Sequence, residues 1–138
     1  MSPIERITIG KQLVAMIIYS RFSKNGIEFF TPGNFSQQLG YMKRDKGYII
    51  HEHRHILRMR KIKFTQETLF IRKGRVKINF YSNSNTFFAS RKLGKGDVVL
   101  LASGGHGLEF LEKSEVIEVK QGPYLNDRDK VRFEGKKR

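Results

Sequence analysis

Short runs of alternating apolar and polar residues cover most of this chain. β-Branched and aromatic residues take alternate positions within each run, and Gly, Asn and Ser separate the runs. Alternation with period 2 is typical of strands that bury one face, whereas an amphipathic helix repeats every 3.6 residues. The pattern predicts strands at 13–19, 27–30, 47–57, 63–72, 75–81, 86–91, 97–102, 106–111 and 115–120.

The remaining segments add little regular structure to this prediction. Residues 31–42 contain Pro32 and fit a single helical turn over 35–39, and residues 129–138 begin with one further short strand and end as a basic tail. No helix-period run is long enough to support an α/β fold. Many short strands at even spacing therefore predict an all-β protein, an antiparallel barrel or sandwich.

Composition limits the class of protein. A chain of 138 residues with 38% apolar and 12% aromatic residues fits one domain with a packed core. It has no Cys, which excludes disulfides, thiolate metal sites and a Cys nucleophile. The apolar run 13–19 is far shorter than the roughly 20 residues of a membrane span, and no cleavage site follows it. We expect a soluble, cytoplasmic protein that does not bind a membrane.

Histidine is concentrated in one stretch. Three of the four histidines, His51, His53 and His55, alternate within "GYIIHEHRH" at 47–55. On a strand their side chains would share one face, since successive side chains point to opposite sides. The fourth, His106, follows "ASGG", where two glycines allow close approach of the backbone. The carboxylate of Glu67 lies among apolar neighbours, so it needs a hydrogen-bonding or oppositely charged partner.

These residue types suit a metal ion. Imidazole nitrogens and one carboxylate oxygen bind a single divalent transition metal such as Mn, Fe, Ni, Zn or Cu, and they leave positions for water or substrate. The alternative is that the same side chains are solvated polar residues on a wet face. Convergence of all four histidines with one carboxylate favours the metal site.

Two motifs in this sequence resemble those of a small single-domain cupin. The first motif of that superfamily corresponds here to Gly47, His53, His55, Glu67 and Gly74, and the second to Gly96, Ala102-Ser103-Gly104 and His106. The match covers roughly 47–120, and "GDVVLLASGGHG" and "EVIEVKQGPY" are similar to cupins associated with bacterial cell-surface polysaccharide and sugar metabolism. The eleven residues between His55 and Glu67 form a much longer gap than the family's.

The resemblance implies an antiparallel, jelly-roll-like barrel and often a homodimer. Residues 47–120 would form the barrel core, 1–46 would add N-terminal strands that pack on it, and 121–138 would be a C-terminal segment within the same domain. The implied metal ligands are His53, His55, Glu67 and His106. His51 remains a rival ligand, a nearby base or a solvated neighbour.

Positive charge predicts the kind of substrate. The formal charge is +14, and the insertion before Glu67 carries Arg58, Arg60, Lys61 and Lys63 with no acid. A basic hairpin over the barrel mouth would favour a small anion such as a phosphate, a carboxylate or a nucleotide-linked sugar; the alternative is a solvated surface. No helix-turn-helix, zinc-finger or RNP-type signature is present, so no specific nucleic-acid partner is expected.

The main functional hypothesis is a metal-dependent isomerase or epimerase acting on a sugar or sugar nucleotide. The ion would polarise a carbonyl while His51 or Glu52 moves a proton. Tyr124, which follows the Gly-Pro turn at 122–123, is a weaker acid–base candidate. The alternatives are a metal-free ketoisomerase-like cupin, a non-catalytic sugar- or phosphate-binding module, and an Fe-dependent dioxygenase.

Overall fold

The computed structural model describes residues 1–135, and within that range the chain is all-β with antiparallel pairing throughout. It divides into two compact units, a larger one of Met1–Phe22 with the chain from Phe64 onward, and a smaller one of Ser23–Lys63. The strands are β1 (Ile4–Ile9), β2 (Gln12–Ile18), β3 (Gly26–Phe29), β4 (Gly40–Lys43), β5 (Glu67–Lys73), β6 (Arg75–Tyr81), β7 (Phe87–Gly94), β8 (Val98–Leu101), β9 (Gly105–Phe110) and β10 (Glu115–Lys120), followed by a 3₁₀ turn, Asn126–Asp129.

The larger unit is built from two sheets around one core. Its five-stranded sheet has the order β1-β2-β8-β5-β10, and its three-stranded sheet has the order β7-β6-β9. Alternate residues of both sheets bury their side chains in one apolar cluster, as the period-2 pattern predicts. The cluster includes Ile7, Val14, Ile17, Leu69, Ile71, Val76, Ile78, Phe80, Leu93 and Val99. Among residues 1–135, no strand pairing joins the two sheets to each other, so they do not form a closed barrel.

A polar cluster links the two sheets at their edge strands. Glu5 on β1 accepts a forked pair of hydrogen bonds from Arg91 on β7, with Nε and Nη2 at 2.6–3.0 Å from its oxygens. The Tyr19 hydroxyl donates to the same carboxylate at 2.8 Å. The hydrogen bonds from Arg91 lower the pKa of Glu5, and burial together with the bond to Glu5 raises the pKa of Tyr19 to about 12.

Most predicted strands are confirmed, with differences at three places. β1 and β4 were not predicted, although "IERITI" in β1 alternates as a strand should. The prediction of a strand at 47–57 is wrong, because residues 44–63 form neither helix nor strand. The predicted turn of helix at 35–39 is also wrong; the Phe35 amide donates to the Pro32 carbonyl in an isolated turn.

The C-terminal segment folds differently from its prediction. Residues 130–135 contain no strand, and the predicted basic tail at 136–138 lies outside the described residues. Instead, Phe133 packs edge-on against Tyr81, with ring centroids 5.2 Å apart. This contact holds the segment against the end of β6.

The smaller unit consists of the β3–β4 hairpin and an irregular segment. β3 and β4 pair from Gly26 opposite Lys43 to Phe29 opposite Gly40. After β4, the Arg44 guanidinium lies 4.2 Å from the centroid of the Tyr48 ring. Within residues 1–135, no helix is long and apolar enough to cross a membrane.

Candidate active site

A cavity of about 510 Å³ lies at one end of the larger unit. Its walls come from the starts of β5 and β9, the ends of β6 and β10, and the C-terminal segment. The lining residues are Thr65, Glu67, Tyr81, Gly104, Gly105, His106, Gly107, Lys120, Asp129, Lys130, Val131, Arg132, Phe133 and Gly135.

Glu67 and His106 meet in this cavity from different sheets. His106 lies opposite Phe80 in the β6–β9 register, so its side chain is on the core-facing side of the three-stranded sheet. Its Nε2 lies 2.7 Å from Oε1 of Glu67, whose side chain is only 13% exposed. The partly buried carboxylate thus has the partner that its apolar neighbours require.

A second carboxylate completes the cluster. Glu118 lies opposite Leu69 in the β5–β10 register, which places it on the same face as Glu67. The hydrogen bond from His106 lowers the pKa of Glu67 to about 2, and a hydrogen bond with Glu118 acts in the same direction. The bond to Glu67, burial and the repulsion of the Glu67 charge raise the pKa of Glu118. Glu67 is therefore the ionised member, and Glu118 is the one that more readily holds a proton.

Basic residues surround this pair. Lys120 lies directly opposite Glu67 on the neighbouring strand. Its charge lowers the pKa of both carboxyl groups, and Lys130 lowers that of Glu118. Arg132, whose guanidinium also pairs with Asp127 at 3.1 Å, and Asp129 are in the wall as well, so three basic residues and one further acid line a cavity that holds a carboxylate–imidazole pair. Such a cavity attracts anions and can move a proton.

The two glycines before His106 are required by close packing. Gly104 has φ +71°, and a Cβ at this position would collide with the Tyr81 carbonyl oxygen. A Cβ on Gly105 would come within 2.7 Å of the Phe133 ring. The backbone therefore approaches β6 and the C-terminal segment closely here, as "SGG" predicts, and this approach positions His106.

The structure brings together two of the four predicted metal ligands, Glu67 and His106, within the larger unit. His53 and His55 belong to the smaller unit, where both are exposed and their rings lie 5.7 Å apart. His53 Nδ1 also lies 2.8 Å from the carbonyl oxygen of His51. Within the described part of the chain, no group of three or more His, Asp or Glu side chains is arranged to hold a metal ion.

The other predicted site residues lie on exposed surfaces. Glu52 and the predicted substrate-binding residues are in the irregular part of the smaller unit, and Tyr124 is exposed after β10. The predicted substrate-binding residues are Arg58, Arg60, Lys61 and Lys63.

Sequence reasoning missed Glu118, Lys120, Lys130 and Arg132. For the first two a signal was present, because "EVIEVK" places Val116, Glu118 and Lys120 on one face of the strand predicted at 115–120. Charged residues on the face that also carries Val116 indicate a polar site at the edge of the core. Lys130 and Arg132 had no such signal, since only the folding back of the C-terminal segment brings them to the cavity.

The chain was compared with protein-family models, with curated proteins and with solved structures, and none of the three comparisons gives a match.

Proposed function

We propose that this protein is an enzyme that moves a proton on a small anionic substrate, as an isomerase or epimerase of a sugar or sugar nucleotide. The observation that carries the proposal is the Glu67–His106 pair, bonded at 2.7 Å in a cavity walled by Lys120, Lys130 and Arg132. The cupin-like motifs add support for an isomerase or epimerase of cell-surface polysaccharide metabolism.

The residues can be given roles in such a reaction. When the Nε2 hydrogen of His106 is donated to the ionised Glu67, Nδ1 carries the lone pair and is the basic nitrogen. That nitrogen takes a proton from the carbon next to a substrate carbonyl, and the Glu118 carboxyl donates its proton to the carbonyl oxygen. The product is a neutral enediol. His106 then protonates the neighbouring carbon while the ionised Glu118 takes the proton of the other hydroxyl, which gives the isomer. Protonation of the original carbon on its other face, with Glu118 recovering its own proton, gives the epimer.

The cationic side chains would bind the part of the substrate that does not react. A phosphate or carboxylate beside Lys120, Lys130 and Arg132 gains charge-assisted hydrogen bonds in a partly enclosed space. These contacts would hold the reacting carbon near His106, so they orient the substrate and take no part in the proton transfer.

A second candidate is the metal-dependent form of the same enzyme. Nε2 of His106 and Oε1 of Glu67 are donor types that bind divalent transition metals, and they lie close together in the cavity. A divalent ion bound there would polarise the substrate carbonyl. In this form His53 and His55 would have to join these two donors.

The experiment that tests catalysis is exchange of substrate hydrogen with D₂O, followed by NMR. Sugar phosphates and nucleotide sugars are incubated with the native protein and with His106→Ala, Glu67→Gln and Glu118→Gln. We expect deuterium next to the carbonyl with the native protein and a loss of at least tenfold in each variant. Thermal stabilisation by these compounds without any exchange would instead identify a non-catalytic binding module and overturn the proposal.

Metal dependence separates the two candidates. The native protein is assayed before and after chelation, and its metal content is measured. Full exchange after chelation, with His53→Ala and His55→Ala as active as the native protein, identifies the metal-free form. Loss of exchange that is restored by one divalent ion, together with loss of bound metal in the His53→Ala variant, identifies the metal-dependent form. An ion-dependent cleavage of O₂ without isomerisation would identify a dioxygenase.

A further inference from the structure

A length of irregular chain closes one side of the cavity. Residues 124–135, called the C-terminal strap below, supply six of the fourteen residues that line it. The strap contains the 3₁₀ turn Asn126–Asp129 and no strand, and none of its residues is buried. It adds nothing to the apolar cluster between the two sheets. The strap can therefore move away from the cavity while the sheets stay folded.

A hydrogen bond and an aromatic contact hold the strap against the sheets. The hydroxyl of Thr65 donates to Oδ1 of Asp129 at 3.1 Å, and both residues are exposed. The Phe133 ring meets Tyr81 edge-on, with ring centroids 5.2 Å apart. Exposed contacts of this kind are individually weak, because water competes for the same groups. A ligand that binds both the strap and the sheets can therefore decide whether the strap is closed.

Lysines from both sides of the cavity converge on one point. Lys130 belongs to the strap and Lys120 to β10, and both line the cavity. The charge of each lysine lowers the pKa of the Glu118 carboxyl. Arg132 is already paired with Asp127 within the strap. The two lysines are therefore the basic groups placed to share one anion, and they reach it together only when the strap is closed.

An anion between these lysines changes the balance between the open and the closed strap. In its absence the two like charges repel each other across a partly enclosed space. A phosphate or carboxylate bound to both lysines replaces this repulsion with charge-assisted hydrogen bonds. The bound anion therefore stabilises the closed strap, and by linkage the closed strap binds the anion more tightly.

We propose that the C-terminal strap is an anion-dependent lid, which closes over the cavity when Lys120 and Lys130 bind the same phosphate or carboxylate group. Closing holds the bound compound beside the Glu67–His106 pair, and opening releases it. The inference rests on the anionic substrate of the proposed function, but it does not depend on any proton transfer.

Hydrogen–deuterium exchange of the full chain, read by mass spectrometry, tests the lid with inorganic phosphate as the probe. Phosphate is compared with sodium chloride at equal ionic strength, so that general screening is the same in both samples. We expect the amides of the strap to exchange about fivefold or more slowly in phosphate. Residues 54–63 are the control within the chain, since they carry five exposed Lys and Arg and no acid. Equal protection of both segments would show non-specific attraction and overturn the proposal.

Substitutions test the two ends of the lid. Lys130→Ala should abolish the protection of the strap and weaken phosphate binding about tenfold, whereas Lys130→Arg keeps the charge and should retain most of both. Lys95→Ala, at an exposed position between β7 and β8, should behave like the native protein. Phe133→Ala should speed exchange of the strap without phosphate, while β5 and β6 remain protected. Full protection of the strap in the folded Lys130→Ala variant contradicts the proposal.

The lid and the proposed reaction can fail separately. Phosphate binding, measured by calorimetry, without slower exchange of the strap overturns the lid and leaves the proposed function standing. A native protein that does not bind phosphate overturns the shared anion site and the lid with it. Protection of the strap in a protein that exchanges no substrate hydrogen with D₂O supports the lid and overturns the isomerase or epimerase.

Discussion

The imidazole of His106 and the carboxylate of Glu67 lie 2.7 Å apart, although β9 and β5 belong to different sheets. The hydrogen bond from His106 is the main reason that the pKa of Glu67 falls to about 2. Because the folded pKa is below the unfolded value of 4.5, the contribution of Glu67 to stability is present above pH 4.5 and is lost as the pH falls towards 2.

We therefore predict that His106→Ala raises the pKa of the Glu67 carboxyl. The measurement is a ¹³C NMR titration of the glutamate carboxyl groups in the native protein and in the variant. The variant should also lose less stability between pH 4.5 and 2 than the native protein does. An unchanged Glu67 titration in His106→Ala would show that the contact does not control this carboxylate.

The pKa of Glu118 should fall when its neighbour Glu67 is substituted, whereas the pKa of Glu67 should rise when His106 is removed. Glu67 raises the pKa of Glu118, so we predict that Glu67→Gln, which removes the neighbouring negative charge, lowers it. In the native protein the protonated Glu118 stabilises the fold at low pH, and this contribution falls as the pH rises above its unfolded pKa. Glu109→Gln, an exposed change on β9, serves as the control and should leave the Glu118 titration unchanged.

The Tyr19 hydroxyl supplies a prediction for alkaline conditions. Its pKa is raised to about 12, mainly by burial and then by its bond to Glu5. The neutral phenol is favoured in the folded protein, so stability should fall as the pH rises from about 10 to 12. Thermal melts should show that Tyr19→Phe removes most of this pH dependence. Tyr124→Phe, at an exposed position, should retain it.

Alanine substitutions at Gly104 and Gly107 provide a matched test of the backbone packing beside His106. Gly104→Ala places a Cβ at φ +71° against the Tyr81 carbonyl, and we predict a loss of about 2 kcal/mol or more in the free energy of unfolding. A Cβ on Gly107 meets nothing within 4 Å, so Gly107→Ala should change it by about 0.5 kcal/mol or less. Urea titrations of the two variants provide the comparison, and equal losses would contradict the strain at Gly104.

Asp97 is predicted to stabilise two turns of the larger unit. Its carboxylate accepts hydrogen bonds from the Ser20 amide at 2.8 Å and from the Gly94 amide at 2.7 Å. Because the side chain is buried, Asp97→Ala leaves two amides without this acceptor and should cost about 2–4 kcal/mol. Asp97→Asn retains one acceptor oxygen and should cost less. Glu112→Ala, at an exposed position, should be nearly neutral in the same denaturation measurement.

Strands were predicted correctly where a segment with local alternation also pairs with a neighbouring strand. β6 and β10 occur at the predicted positions because their apolar side chains repeat with period 2 and their turns contain Gly or Ser. Residues 47–57 have the same alternation, yet they form no strand. A strand needs hydrogen-bonding partners on a neighbouring strand, and the pattern of one segment does not identify them.

Sequence by itself determined that this protein is all-β, and it predicted that Glu67 and His106 belong to one site. Only the tertiary structure decided which side chains join them. The register between β5 and β10 places Glu118 and Lys120 beside Glu67. The C-terminal segment brings Lys130 and Arg132 to the same cavity. The physical reason is that side-chain alternation is a local property of a strand, whereas a site depends on contacts between strands that are distant in sequence.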